Sequence, residues 1–228
     1  MGGDDSMKFI AILLVMALLS GFGSHPTGSD SQSQTGSHSI KDQASIQEIA
    51  PLFQENSYFV IGEKAYNTDV LGTAKISYGL ALGGAQNPEG RTDMIITNKE
   101  KDKGNLIIVG GPAINPAATE FGGYFGISYD YEPNAYYEIF CERNSIYLDL
   151  TKYPHEDICI VYLGQFSSRN VLLVWGYGWQ GTYAGSVFMG DPQNWLEYQD
   201  THMLFLRWKD ENRDGLVQEN EITVERAR

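Results

Sequence analysis

The 228-residue sequence is short of positive charge: 16 Lys and Arg stand against 29 Asp and Glu, a formal net charge of −13. A chain this acidic repels polyphosphate and anionic lipid, which argues against a nucleic-acid partner and against docking on an acidic bilayer. There are only 2 Cys, too few for a cysteine-ligated zinc ribbon or a small disulfide-built scaffold. The longest unbroken apolar run, Phe9 through Leu19, is 11 residues. A bilayer-spanning helix needs about 20, so no transmembrane chain is expected. What remains has the make-up of a folded domain: 42% hydrophobic, 12% aromatic, with 25 Gly and 14 Tyr.

The apolar run follows Lys8 and precedes Ser20, Gly21, Phe22, Gly23 and Ser24. A short positive region, an apolar stretch and then small residues form the pattern of a secretory signal. Met7 fits a true start, because Asp4 and Asp5 sit badly in such a leader. Residues 1–23 are therefore read as a signal peptide. The following Ser-, Gly- and Gln-rich stretch carries too little apolar surface to offset ordering entropy, and residues 24–45 are read as a tether.

Strand and helix signals alternate along the rest. The stretch 39–53 reads as an edge segment or short helix. Buried strands are expected at 58–62, 105–112 and 170–176, each a continuous apolar run closed by glycine. A shorter strand is expected at 94–97. Helices are expected at 69–82, with Asp69 as N-cap and Gly83-Gly84 as stop, at 115–120 and at 182–190. Between them, 139–142, 145–150 and 157–163 read as strands of a meander rich in Tyr and β-branched residues. The fold class is thus α/β: a layered sheet with helices and an antiparallel β insertion, spanning 46–200. A strand–calcium loop–strand segment follows at 201–228.

That loop is the sharpest motif. Asp210-Glu211-Asn212-Arg213-Asp214-Gly215-Leu216-Val217-Gln218-Glu219-Asn220-Glu221 fits D-x-[DN]-x-[DN]-G-x5-E at every fixed position. Calcium is a hard cation that takes six to eight oxygens. The expected ligands are the side chains of Asp210, Asn212 and Asp214, the carbonyl of Leu216, Gln218 directly or through water, and Glu221 with two oxygens. Gly215 supplies the sharp bend, and Val217 is a candidate anchor on the core. The flanks, 203–208 and 222–224, read as strands rather than helices, and there is one loop, so a paired, groove-opening sensor is not expected. The ion is read as structural Ca2+.

A second pattern, Gly176-Tyr177-Gly178-Trp179-Gln180-Gly181, matches G-x-G-x-x-G between an expected strand and helix. Its late position and its bulky Tyr177 and Trp179 speak for a tight turn over a nucleotide site. Cys141 and Cys159 are 18 residues apart; a disulfide and two buried thiols both stay open. His155 beside Glu156 and Asp157 reads as an exposed histidine, and Ser186 lies outside a nucleophile elbow. No nucleophile–base pair emerges, and no catalytic role is expected.

Three stretches together carry a resemblance. They are Phe59-Val60-Ile61-Gly62 with Asp69-Val70-Leu71-Gly72-Thr73-Ala74; Leu106-Ile107-Ile108-Val109-Gly110-Gly111-Pro112-Ala113-Ile114-Asn115; and Asn170-Val171-Leu172-Leu173-Val174-Trp175-Gly176-Tyr177-Gly178 with Gly181-Thr182-Tyr183-Ala184-Gly185. They resemble archaeal S-layer and S-layer-related proteins, in which a Gly-Gly-Pro-x-x-Asn turn ends one strand and a Gly-Thr-x-Ala-like segment opens a later helix. The resemblance implies a C-terminal-type α/β module of the cell envelope, extracellular at the cell surface and partnered with other envelope or S-layer proteins, surface glycans or further copies of itself. The chain is shorter than the usual subunit of that family. The alternatives are a secreted carbohydrate-binding module, with Tyr124, Tyr177, Trp179 and Trp195 stacking on sugars, and a nucleotide-binding domain using the 176–181 turn.

Overall fold

The computed structural model describes residues 44–86 and 88–228. The expected signal peptide and nearly all of the tether lie outside them. The described chain builds a seven-stranded mixed sheet in the order β10-β9-β7-β8-β3-β1-β2. Its parallel half holds β1 (Ser57–Ile61), β2 (Glu89–Thr92), β3 (Asn105–Val109) and β8 (Arg169–Gly176). Its antiparallel half holds β7 (Glu156–Phe166), β9 (Met203–Lys209) and β10 (Ile222–Ala227). The layered α/β architecture read from the sequence is present.

Continuous apolar runs serve a sheet covered on both sides, because successive side chains alternate between faces. Phe59, Ile107, Val109, Leu172, Val174, Val161 and Leu204 meet one face's core. There they pack under α2 (Asn67–Leu82), α5 (Trp179–Met189), α6 (Pro192–Leu196) and the N-terminal turn with α1 (Ile49–Leu52). Val60, Leu106, Ile108, Ile160, Val171, Leu173 and Phe205 meet the other. That face is covered by α4 (Pro116–Tyr124) and a separate antiparallel sheet of β4 (Ile127–Glu132), β5 (Tyr136–Cys141) and β6 (Asn144–Asp149). Helices α2 and α5 approach closely: a Cβ added at Gly72 would lie 2.6 Å from Ser186 Oγ.

Several local expectations shift. The apolar stretch 94–97 is no strand; β2 precedes it, and Met94 and Ile95 lie exposed in the turn before α3 (Asn98–Lys103), where Thr97 and Glu100 form a capping box. Asp69 is not the N-cap of α2; Tyr66 is, and Asp69 is buried inside the first turn. Strand β7 leaves the meander and joins the large sheet through a hairpin with β8, in which Phe166 faces Arg169. Cys141 and Cys159 are both buried free thiols, in the cores on opposite faces of the large sheet. Trp195, which the carbohydrate-binding alternative would place on the surface, is core. Trp179 is half-buried, and the exposed Tyr124 stacks on Phe166 at 4.3 Å.

Helices after β1 and β8 lie on one face and the helix after β3 on the other, so the carboxyl end of β3 is a topological switch point. Asn115 locks it. Its Nδ2 donates to the carbonyls of Val60 and Val109, each at 3.0 Å, and its Oδ1 accepts from Ala117 N. The Gly-Gly-Pro-x-x-Asn turn is thus a stitch between two strand ends and a helix cap. Gly110, at φ +103, takes the left-handed bend that this turn requires.

Candidate metal centre and the glycine turn

Strands β9 and β10 pair antiparallel, Ile222 opposite Trp208, and the acidic loop closes this ribbon. Asp210 follows β9, and its backbone N–H donates to the carbonyl of His155 at 2.9 Å. Its side chain is drawn inward: only 4% of the residue is exposed. Asp210 Oδ2 accepts from Gly215 N at 3.2 Å and lies 2.8 Å from His155 Nδ1. His155 and the Gly215 amide hold the carboxyl below the usual carboxylate range. Asp210 Oδ1, by contrast, is buried with no hydrogen-bond partner.

The loop curls as its spacing demands. Asn212 Oδ1 accepts from Asp214 N at 2.9 Å, and Asp214 Oδ1 from Leu216 N at 2.8 Å. Gly215 makes the bend at φ +72. The amide nitrogens of Asn212 and Gln218 donate to Asp214 Oδ2, at 3.1 and 2.8 Å. A half-turn of either amide would present oxygen instead of nitrogen. Glu221 is buried at the far end, where Trp208 Nε1 donates to Oε2 at 3.1 Å and Glu211 N to Oε1 at 3.2 Å. The Leu216 side chain points to solvent and Val217 is half-buried.

The structure therefore brings Asn212, Asp214 and Gln218 together and turns Asp210 inward, while Glu221 bonds to Trp208 and Glu211. Among the described residues no three His, Cys, Asp or Glu side chains gather as a ready-made metal cluster. The donor set nevertheless suits a hard cation: it is all oxygen, and one buried carboxylate oxygen lacks any partner. A cleft of about 440 Å³, lined by Tyr153, His155, Lys209 and Arg213 among others, opens beside Asp210.

The 176–181 turn has a different content. Asp157, fully buried at the start of β7, reaches across to it. Asp157 Oδ2 accepts from Gly178 N at 3.0 Å and Gly181 N at 2.7 Å, while Oδ1 accepts from Ile158 N at 2.8 Å. The N–H groups that would cradle a phosphate in a dinucleotide fingerprint are thus taken by the chain's own carboxylate. Burial pushes this carboxyl up to about 7, against the pull of its N–H donors. The glycines make room for it: a Cβ at Gly181 would stand 2.3 Å from Ile158 O and 2.9 Å from Asp157.

Sequence reasoning missed His155 and Asp157 as partners of these turns, since strand pairing brings them from far along the chain, and it missed Trp208, which flanks the loop and donates back to Glu221. It also missed Asp69 as a buried acid. That residue is 1% exposed, neither carboxylate oxygen has a partner, and burial raises it to about 6. Ser186 Oγ donates to Thr182 O within α5, a helix back-bond. Among the described residues no helix is long and apolar enough to cross a membrane. No protein-family model matches the chain, and no curated protein matches it.

Proposed function

We propose that the chain is an exported, non-enzymatic module of the cell envelope, associated with an S-layer, whose C-terminal strand pair is fastened by one structural Ca2+. The observation that carries this reading is Asp210: a carboxylate turned inward at the first position of a calcium-loop register, with one oxygen unpartnered. Asp210, Asn212, Asp214, the Leu216 carbonyl, Gln218 and Glu221 would hold the ion, which supplies a fixed positive charge and no redox or acid–base chemistry. These residues tie the end of β9 to the start of β10, so the ion would fasten the outer edge of the sheet.

The resemblance of the three strand–turn stretches to S-layer proteins supports the envelope location, as does the leader pattern before the acidic domain. The proposed partners are other envelope proteins and surface glycans.

Thermal melting of the full chain in calcium and in EGTA tests the ion. At a calcium concentration 100 times the dissociation constant, binding adds about 2.7 kcal/mol, or about 5–10 °C in melting temperature for a domain of this size. Asp210→Ala should abolish the difference. Equal melting curves in calcium and EGTA, with no calcium found by native mass spectrometry, would remove the ion. Retention in the envelope fraction of the native host, and release of the protein by chelation, tests the location.

A further inference from the structure

The carboxyl edge of the parallel strands carries a group of tyrosines whose exposed members neither the calcium loop nor the core accounts for. Cross-strand partners share a face of a sheet. Tyr129 pairs with Ile139 and Tyr131 with Tyr137, so both lie on the side where Ile139 and Tyr137 are buried against the large sheet. Yet Tyr129 and Tyr131 are 44% and 54% exposed. Strand β4 overhangs the layer it covers and displays its inner face to solvent.

The rings continue in contact. Tyr131 and Tyr129 have centroids 6.3 Å apart, and Tyr129 stacks on Tyr137 at 5.5 Å. Tyr137 meets Tyr177 at 4.8 Å, and Tyr177 meets Tyr153 edge to face at 5.3 Å. Trp175 supports the row, edge-on to Tyr129 at 5.8 Å and donating Nε1 to the Tyr137 hydroxyl at 3.3 Å. At the far end Tyr153 donates its hydroxyl to Gln180 Oε1. Packing explains Tyr137 and Trp175, which are buried. It does not explain why Tyr129 and Tyr131 on one side of Tyr137, and the 38% exposed Tyr177 on the other, should face water.

Exposed aromatic rings gathered around one buried ring mark a place of contact, and tyrosine gives rigid, amphipathic area at low entropic cost. Each ring offers a flat apolar face and one hydroxyl. A row of them matches a polymer whose units have apolar C–H faces and hydroxylated rims. The net charge of −13 repels a carboxylated or sulfated polymer. We infer that this tyrosine shelf binds a neutral glycan strand. The inference stands apart from the calcium reading, because it uses none of the loop residues.

Titration of the full chain, by calorimetry and by NMR, with cellohexaose, maltohexaose and chitohexaose tests it, with polygalacturonate and a polyproline peptide as competitors in class. At least one neutral hexaose should bind and shift the resonances of Tyr129, Tyr131 and Tyr177, in calcium and in EGTA alike. The double substitution Tyr129→Ala with Tyr131→Ala should weaken binding by about tenfold or more, which is about 1.4 kcal/mol or more. Tyr124→Ala, outside the row, should leave affinity unchanged. Resonance mapping on the unmodified protein reads the same site if the double variant misfolds. The inference is overturned if none of the three hexaoses binds at about 10 mM, if shifts fall elsewhere, or if polygalacturonate or polyproline is preferred.

Discussion

Two turns of the molecule each hold a buried carboxylate, and they treat it in opposite ways. In the 176–181 turn, Asp157 is saturated: both oxygens accept backbone N–H groups, from Ile158 on one side and from Gly178 and Gly181 on the other. In the 210–221 loop, Asp210 keeps one buried oxygen without a partner. A saturated carboxylate is a finished structural part, because its desolvation cost is met within the chain. An unsaturated one has bonding capacity left to give. The glycine turn therefore looks like a ligand site in sequence and acts as a brace in structure. The loop differs in one atom: Asp210 Oδ1 stays buried with its bonding capacity unused.

The largest effect should come from breaking the saturated turn. Asp157→Ala leaves three N–H groups unpaired, two of them buried, and should cost about 3–5 kcal/mol, lowering the melting temperature by about 6–20 °C. A variant that melts with the unmodified protein would deny the brace. The calcium shift proposed above comes next. Asp69 offers a third case, a buried carboxylate with neither oxygen bound. Its folded value of about 6 lies above the ordinary 3.8, so the folded chain holds more protons between those values and stability falls as pH rises through that window. Asp69→Asn removes the penalty. It should stabilise the fold by about 1–2 kcal/mol above pH 6, after allowance for solvent screening, and the gain should fade towards pH 4 in melting curves taken across that range. The smallest effect is at Gly215. A Cβ there meets nothing within 4 Å, but φ is +72, so Gly215→Ala should cost about 1 kcal/mol by denaturant unfolding. Under the calcium reading, it should also weaken the response to the ion.

What could be read in advance follows burial. Strands β1, β3 and β8 announce themselves because both their faces are covered, and each runs through an unbroken apolar stretch after its polar first residues. Strand β2, Glu-Gly-Arg-Thr, is an edge strand with little buried surface, and nothing in its composition marks it. The apolar 94–97 stretch misleads for the converse reason: Met94 and Ile95 face water in a turn. The loop register, with its bend at Gly215, is a local pattern and shows in the sequence. Asp157 lies 21 residues from Gly178 in the chain and 24 from Gly181, and it reaches the turn only because β7 pairs beside β8. No spacing rule would find it. The tyrosine shelf is hidden likewise, for its rings come from β4, β5, the turn before β7 and the turn after β8.

The hairpin of β7 and β8 carries a kinetic consequence. It is the seam at which the parallel and antiparallel halves meet: β8 borders β3 and β7 borders β9. Its own pairing is local, closed by a tight turn between Phe166 and Arg169, whereas β3 must return across a long stretch of chain to reach it. Closing such distances is slow, and close neighbours in sequence join first. Both halves would then grow outward from this one ribbon, and a lesion placed in it should retard folding of the entire sheet.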